Sequence, residues 1–325
     1  MTVIFILLAV ILIYLVYSFV KIRFSSHANP GRFEPGSKGE VKNLYDYVYH
    51  LTVKIGPRSF YQYEKVKETE DYIKSVLKEL GLDYTPQSYD CKGKSFSNII
   101  VTIPGQKEPK KSFVIGAHYD TVPLTPGADD NTSAVAVLLE MCRILKDYKP
   151  AKTLKLVFFV LEEPPSFRTK YMGSYVYAKR ARENNEEIFG MISLEMLGYY
   201  NDIKGAQTFP FPLMNLFYPN VPNFIAVVGN LKSRKLVKQI EASIKKGSSI
   251  PVETIATFRF VPGVDFSDHA SFWRMGYPAV MVTDTSFYRN PNYHSPSDTI
   301  DTLNFEKMGE LLKGLIYAAK DLVGT

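Results

Sequence analysis

Two histidines and a set of acidic residues stand where apolar runs end. His118 and Asp120 follow the run at 112–117, Glu162 and Glu163 follow 154–161, and Glu195 follows 188–194. Asp129 and Asp130 sit in GADDNTSA, directly ahead of an apolar stretch, and His294 sits in YHSPSDT, beyond the run at 279–283. A carboxylate emerging from a buried strand is costly unless something positive meets it. Several of them converging need a counter-charge, and these motifs contain no Lys or Arg to supply one. A metal ion does. Imidazole and carboxylate without thiolate suit zinc, with manganese or cobalt as substitutes. One tetrahedral zinc cannot take five protein ligands and keep an open position, whereas two zincs sharing a carboxylate can. The charges then balance: two Zn²⁺ against three carboxylates and one hydroxide. Such a pair is built for metal-assisted hydrolysis.

The elements that must hold these residues are readable from the pattern. Strands are expected at 84–91, 97–103, 112–117, 154–161, 188–194, 224–228 and 279–283. Helices are expected at 40–55, 61–80, 132–145, 173–182, 233–246, 268–275 and 305–322, with Asn131 as an N-cap and Gly81 as a helix stop. Unalternating apolar strands interleaved with helices predict an α/β three-layer sandwich around a mostly parallel mixed sheet. In such sheets ligands gather beyond the carboxyl ends of strands, where the His, Asp and Glu residues lie.

Five motifs in one order, GAHYDT, GADDNTSA, LEEP with a following MGS, ISLEMLGYY and YHSPSDT, resemble the co-catalytic di-zinc aminopeptidases of the leucyl aminopeptidase type, in the MH clan of zinc exopeptidases. SDHASFWRMGYPAVMVTDT also fits, and the likeness runs from about residue 51 to the C-terminus. The resemblance implies the phosphorylase/hydrolase-like zinc-exopeptidase fold and hydrolysis of the N-terminal peptide bond of peptides with a free N-terminus. It implies His118, Asp129 and Glu195 on one zinc, with Asp129 bridging to a second zinc completed by Glu163 and His294. It makes Glu162 the general base and Asp120 the residue that orients the His118 ring. The choice of Asp129 over Asp130 comes from the family pattern, since spacing does not separate them. Position 195 is Glu where many members carry Asp, and PPSFRTKYMGS after Glu163 is longer than in many members. His269 is expected to be structural or near the site. The aromatic, Pro-rich segment 207–223 reads as a lid over an apolar pocket or as a packed connection. Two other readings are a glutaminyl-peptide cyclotransferase, whose Asp motif tends to read DSAVP against DDNTSAV here, and a non-catalytic ectodomain, which a lost ligand would mark; none is lost.

The 325 residues carry 46% hydrophobic and 22% charged side chains and a net charge of +6, which excludes wholesale disorder. The basic residues form no cluster of the size a nucleic-acid binder uses, so no nucleic-acid partner is expected. Oligomeric state is not readable. The two cysteines, Cys91 and Cys142, exclude a disulfide scaffold and lie in apolar settings as unpaired small hydrophobes. Residues 3–20 carry no charge and would span about 27 Å as a helix. They predict an uncleaved transmembrane anchor within residues 1–24, followed by a Ser/Pro/Gly-rich linker at 25–38 and a catalytic domain at 39–325. Lys21, Arg23 and Arg32 favour a cytoplasmic domain. The resemblance favours an outward one, and because long domains translocate largely regardless of flanking charge, a single-pass membrane protein with an extracytoplasmic domain is the expectation.

Overall fold

The computed structural model describes residues 38–325, so the expected anchor and nearly all of the linker lie outside the described residues. Among the described residues no helix is long and apolar enough to cross a membrane. Eight strands form one sheet: β1 (Tyr84–Cys91), β2 (Lys94–Ile103), β3 (Glu108–His118), β4 (Lys152–Phe159), β5 (Glu187–Glu195), β6 (Ile225–Asn230), β7 (Val252–Thr257) and β8 (Ala279–Thr283). Their order is β1-β2-β4-β3-β5-β8-β6-β7. β4, β3, β5 and β8 run parallel at its centre, while β1 and β2 enter antiparallel at one end and β6 lies antiparallel to β8 at the other.

Side chains on the central strands alternate between two apolar layers, as the pleat requires. Phe113 and Ile115 of β3 face one side together with Leu154 and Leu156 of β4, and Val114 and Val157 face the other. The first layer is covered by α1 (Lys38–Tyr49), α2 (Tyr63–Glu79), α3 (Ala134–Leu145), α5 (Arg234–Gly247) and α7 (Phe305–Val323). The second is covered by α4 (Gly173–Glu183) and α6 (His269–Arg274), through Tyr177, Ala178 and Phe272. Both faces of the central strands are therefore buried, which is why they read as continuous apolar runs rather than alternating ones. Cys91 and Cys142 are buried and free.

Three sequence expectations change. The helix expected at 40–55 ends at Tyr49 and continues as a π-helical turn, His50–Ile55. Strand β7 was not expected: its short VETIAT is an edge strand with a half-exposed burial pattern, so no apolar run announces it. Asn131 does not cap α3. Its side chain donates to the Leu194 carbonyl at 3.0 Å and accepts from the Met196 N–H at 2.9 Å, fastening the turn ahead of α3 to the end of β5.

Candidate metal centre

His118 and Glu195 end two neighbouring parallel strands, β3 and β5, so their side chains arrive at one rim. Glu162 and Glu163 leave the end of β4 just beyond them, and the Asp120 carboxylate fixes their backbone, accepting from both N–H groups at 3.1 Å. Asp120 also flanks the His118 ring. Nδ1 lies 3.2 Å from the Asp120 carbonyl and 3.7 Å from its carboxylate, which leaves Nε2 to face the rim. The loop carrying GADDNTSA forms a π-helical turn, Ala128–Ser133, entered through Gly127 at φ +62°. A Cβ at Gly127 would lie 2.4 Å from the Asp130 carbonyl, so only glycine closes this turn.

The Asp130 carboxylate sits between the two imidazoles. Its Oδ1 is 3.5 Å from His118 Nε2 and its Oδ2 is 3.1 Å from His294 Nε2. Glu195 Oε2 is 3.5 Å from His118 Nε2, and Glu163 Oε1 is 3.2 Å from His294 Nε2. Two ligand atoms on a tetrahedral zinc, each about 2.0–2.1 Å away, stand about 3.3 Å apart. The four separations, 3.1 to 3.5 Å, match that spacing in two triads that share Asp130. Glu162 is close, with Oε2 4.0 Å from His118 Nε2, and forms a further three-residue group with His118 and Glu163. Asp130 Oδ1 is buried without a hydrogen-bond partner, as expected of an oxygen whose partner is an ion. These residues fit a metal pair.

Asp129 departs from the expectation. Its carboxylate turns away from the imidazoles and accepts from the Gly198 N–H at 2.8 Å and from Asn290 Nδ2 at 2.7 Å. Successive residues of a sharp turn point in different directions, and it is Asp130 that faces the cluster. Asp298 completes the turn, its two oxygens accepting the N–H groups of Asp129 (2.9 Å) and Asp130 (3.1 Å). Asp298 lies in the same YHSPSDT motif as His294, a signal the sequence reading passed over. Ser267, which donates to Glu195 Oε2 at 2.6 Å, also went unremarked. His269 is outside the cluster. Its Nε2 meets the Val264 carbonyl at 2.8 Å, its ring stands edge-on to Trp273, and burial holds its pKa down to about 4, so its role is structural.

Charge in the site follows from burial and pairing. Burial raises the Glu163 carboxyl to about 8, with Asp130 adding to the shift, and it raises Glu162 well above the carboxylate range, with Glu163 and Glu195 adding. For Asp130, burial is outweighed by the two facing imidazoles, His118 and His294, which hold its carboxyl below that range. Burial likewise opposes a charge on His294, but Asp130 and Glu163 outweigh it and lift that imidazole to about 10. The site thus gathers positive charge wherever it is available.

Beyond the cluster opens a cavity of about 230 Å³. Its acidic end is the cluster of Asp130, Glu162, Glu163, Glu195 and His294. Its walls are apolar: Phe209, Met214 and Tyr218 from segment 207–223, and Phe224, Val228 and Met281 from the sheet. Segment 207–223 is therefore a wall of the pocket. It is latched at one end by buried Gln207, whose Oε1 accepts from Arg289 at 3.0 Å and whose Nε2 donates to Thr285 at 2.9 Å.

The model of Peptidase family M28 matches residues 98–319. The Escherichia coli protein YfbL, described as uncharacterized, is 39% identical over 277 residues, 83% of this chain and 84% of that protein. Leucine aminopeptidase 1 of Metarhizium robertsii is 30% identical over 264 residues, 75% of this chain; the match spans only 60% of that relative's length. A zinc aminopeptidase from Bacillus subtilis superimposes with a TM-score of 0.71 over 90% of this chain and 97% of its own, at 15% identity, a likeness of fold. With the ordered motifs, the sheet and the paired triads in agreement, the chain belongs to peptidase family M28.

Proposed function

We propose that the protein is a zinc-dependent aminopeptidase, and that His118 and Glu195 hold one ion, Glu163 and His294 the other, with Asp130 shared. The observation that carries this is the set of four ligand-atom separations at tetrahedral spacing around one carboxylate. Zinc bound there supplies an acidified water and polarises the scissile carbonyl. Glu162 is the base: its carboxylate takes a proton as water adds to the carbonyl carbon, and returns that proton to the amine nitrogen as the C–N bond breaks. It suits this role because it lies beside the cluster, with its side chain only 7% exposed, and belongs to neither triad that shares Asp130. Asp120 acts through others, fixing the His118 ring and the backbone of Glu162 and Glu163. The substrate is a peptide with a free α-amine, which the acidic end of the cavity favours, and a bulky apolar first side chain, which the aromatic walls favour.

Metal analysis of the purified full chain, with turnover of a panel of aminoacyl-arylamides, tests the reading. Two zincs per chain and a preference for Leu, Phe or Met over Gly, Asp or Lys are expected. Absence of stoichiometric metal, or release of pyroglutamate from N-terminal glutamine peptides in place of hydrolysis, would sink it. We further propose that residues 3–20 tether the domain on the extracytoplasmic side; their uncharged run supports the tether and the family resemblance supports the side. Protease added to intact cells should then remove the domain, and protection until lysis would reverse the orientation.

A further inference from the structure

A second cleft, of about 200 Å³, lies beside the first, and Phe167 lines both. Its walls carry three arginines, Arg168, Arg259 and Arg274, and a single carboxylate, Asp265. The Asp265 side chain is 9% exposed and already engaged. Arg168 Nη2 donates to its Oδ1, and Arg259 Nη2 stands 3.7 Å from its Oδ2. Arg274 is held from the other side, its guanidinium 4.4 Å from the Tyr175 ring and within 3.4 Å of the Arg168 carbonyl. Three cations against one anion leave two positive charges unanswered in a concave surface. The Arg168 and Arg259 side chains remain 52% and 61% exposed, so their forks are open to a ligand. Guanidinium forks pair best with planar carboxylates.

The cleft is close to the cluster. Ser267 lines it, and the Ser267 hydroxyl donates to Glu195 at 2.6 Å on the cluster side. Phe167, edge-on to Phe266 at 6.0 Å, divides the arginine cleft from the apolar cavity. Phe167 is shared by the two clefts, so a peptide whose first side chain fills the apolar cavity and whose first peptide bond crosses the cluster has the arginine cleft as its neighbouring groove. An extended chain advances about 3.3–3.6 Å per residue, so a carboxylate a few residues beyond the scissile bond is the group placed to meet the arginines.

We propose that the Arg168–Arg259–Arg274 cleft binds the C-terminal carboxylate of short peptide substrates, an inference that rests on the aminopeptidase reading above. The test compares Leu-Gly-Gly with its C-terminal amide, with the amidated peptide Leu-Gly-Glu-amide, and with a leucyl arylamide that has no carboxylate, all on the zinc-loaded full chain. The free acid should exceed its amide by about 10-fold or more in kcat/KM, mostly through KM, the scale of one charge-assisted pair. In Arg259→Ala/Arg274→Ala that ratio should fall toward one; because it is taken within one protein, a general loss of fold or metal cancels. Free sulfate should inhibit cleavage of the acid more than that of the amide. Equal acid and amide in the wild-type protein, or a ratio that survives the double substitution, overturns the proposal. Leu-Gly-Glu-amide matching the free acid would also overturn it, by assigning the cleft to acidic side chains instead of the C-terminus. Should the leucyl arylamide and the peptides all resist cleavage, the aminopeptidase reading fails by itself. Calorimetry with Leu-Gly-Gly and its amide then decides the cleft: tighter binding of the acid supports it, and equal or undetectable binding overturns it.

Discussion

Two sets of buried carboxylates sit side by side at this rim and do opposite work. Asp120, Asp129 and Asp298 turn their oxygens toward N–H groups: Glu162 and Glu163 for the first, Gly198 and Asn290 for the second, Asp129 and Asp130 for the third. Asp130, Glu163 and Glu195 turn theirs toward two imidazoles, and one oxygen of Asp130 has no donor at all. A carboxylate that accepts two N–H groups is satisfied within the protein, whereas a buried oxygen without a donor is not. The inner set is therefore the candidate cation site, with Asp130 Oδ1 its one oxygen left without a donor, and the outer set shapes the loops that present it. Asp129 and Asp130 are adjacent and chemically identical, and fall on opposite sides of this division.

The sharpest way to break the comparison is to truncate both. Asp130→Ala should lose stoichiometric metal and all turnover above background. Asp129→Ala should keep a measurable site, with metal affinity down by about 10- to 100-fold, the usual cost of losing an outer partner. Metal titration with a competing chelator separates them, and the reverse ranking would show that Asp129 is the shared ligand after all. Glu162→Gln sharpens the boundary of the inner set. As the base but not a ligand, it should lower kcat by about 10²- to 10⁴-fold while zinc content stays near wild type. Loss of zinc in that variant would move Glu162 among the ligands.

The smallest effect is one of pH. Burial lifts Asp284 to about 6 and Asp298 to about 8. Acids whose folded pKa is raised above the unfolded value, near 4, make the folded state bind protons more tightly, so stability falls as pH rises from about 4 to 8. His294, raised to about 10, contributes stability that is complete below its unfolded pKa and lost as pH rises from about 6.5 to 10. The two trends share a sign. Chelator-stripped protein should melt several degrees lower at pH 8 than at pH 5. Zinc-loaded protein should lose less, because metal binding strengthens as its ligands deprotonate. A stripped protein that gains stability toward pH 8 would contradict the assigned shifts.

Much of this was legible in the chain because apolar runs and strand ends carry their own signal. Strand β8 begins and ends where the sequence places it, and four of the five expected ligands, His118, Glu163, Glu195 and His294, converge. The fifth, Asp129, comes from the family pattern and faces away from the imidazoles, and neither spacing nor periodicity says which of two neighbouring aspartates faces inward. That depends on the backbone of a turn whose Asp130 and Asn131 are non-helical inside an otherwise helical segment. Asn131 misled for a related reason: Asn before an apolar helix is a cap signal, yet here its amide is used to join two loops. Arg58 gave no sign at all, since a lone arginine in GPRSF reads as surface, and its burial appears only when distant carbonyls gather round it.

That arginine redraws the edge of the catalytic unit. Arg58 is fully buried and donates to the carbonyls of Tyr119 and Pro126, both at 2.7 Å, and to those of Gly56 and Gly127 at 3.3 Å. Burial pushes its pKa down to about 10, with Asp120, Asp298 and Asp130 holding it up. It is the clamp on the loop between β3 and the Asp130 turn, and it sits 40 residues ahead of Asn98, where the family match begins. A fragment cut where the family model begins would carry every proposed ligand and still leave the Tyr119, Pro126 and Gly127 carbonyls without Arg58. The centre is thus tied to the segment around Gly56 and Arg58, in sequence that the family model does not cover.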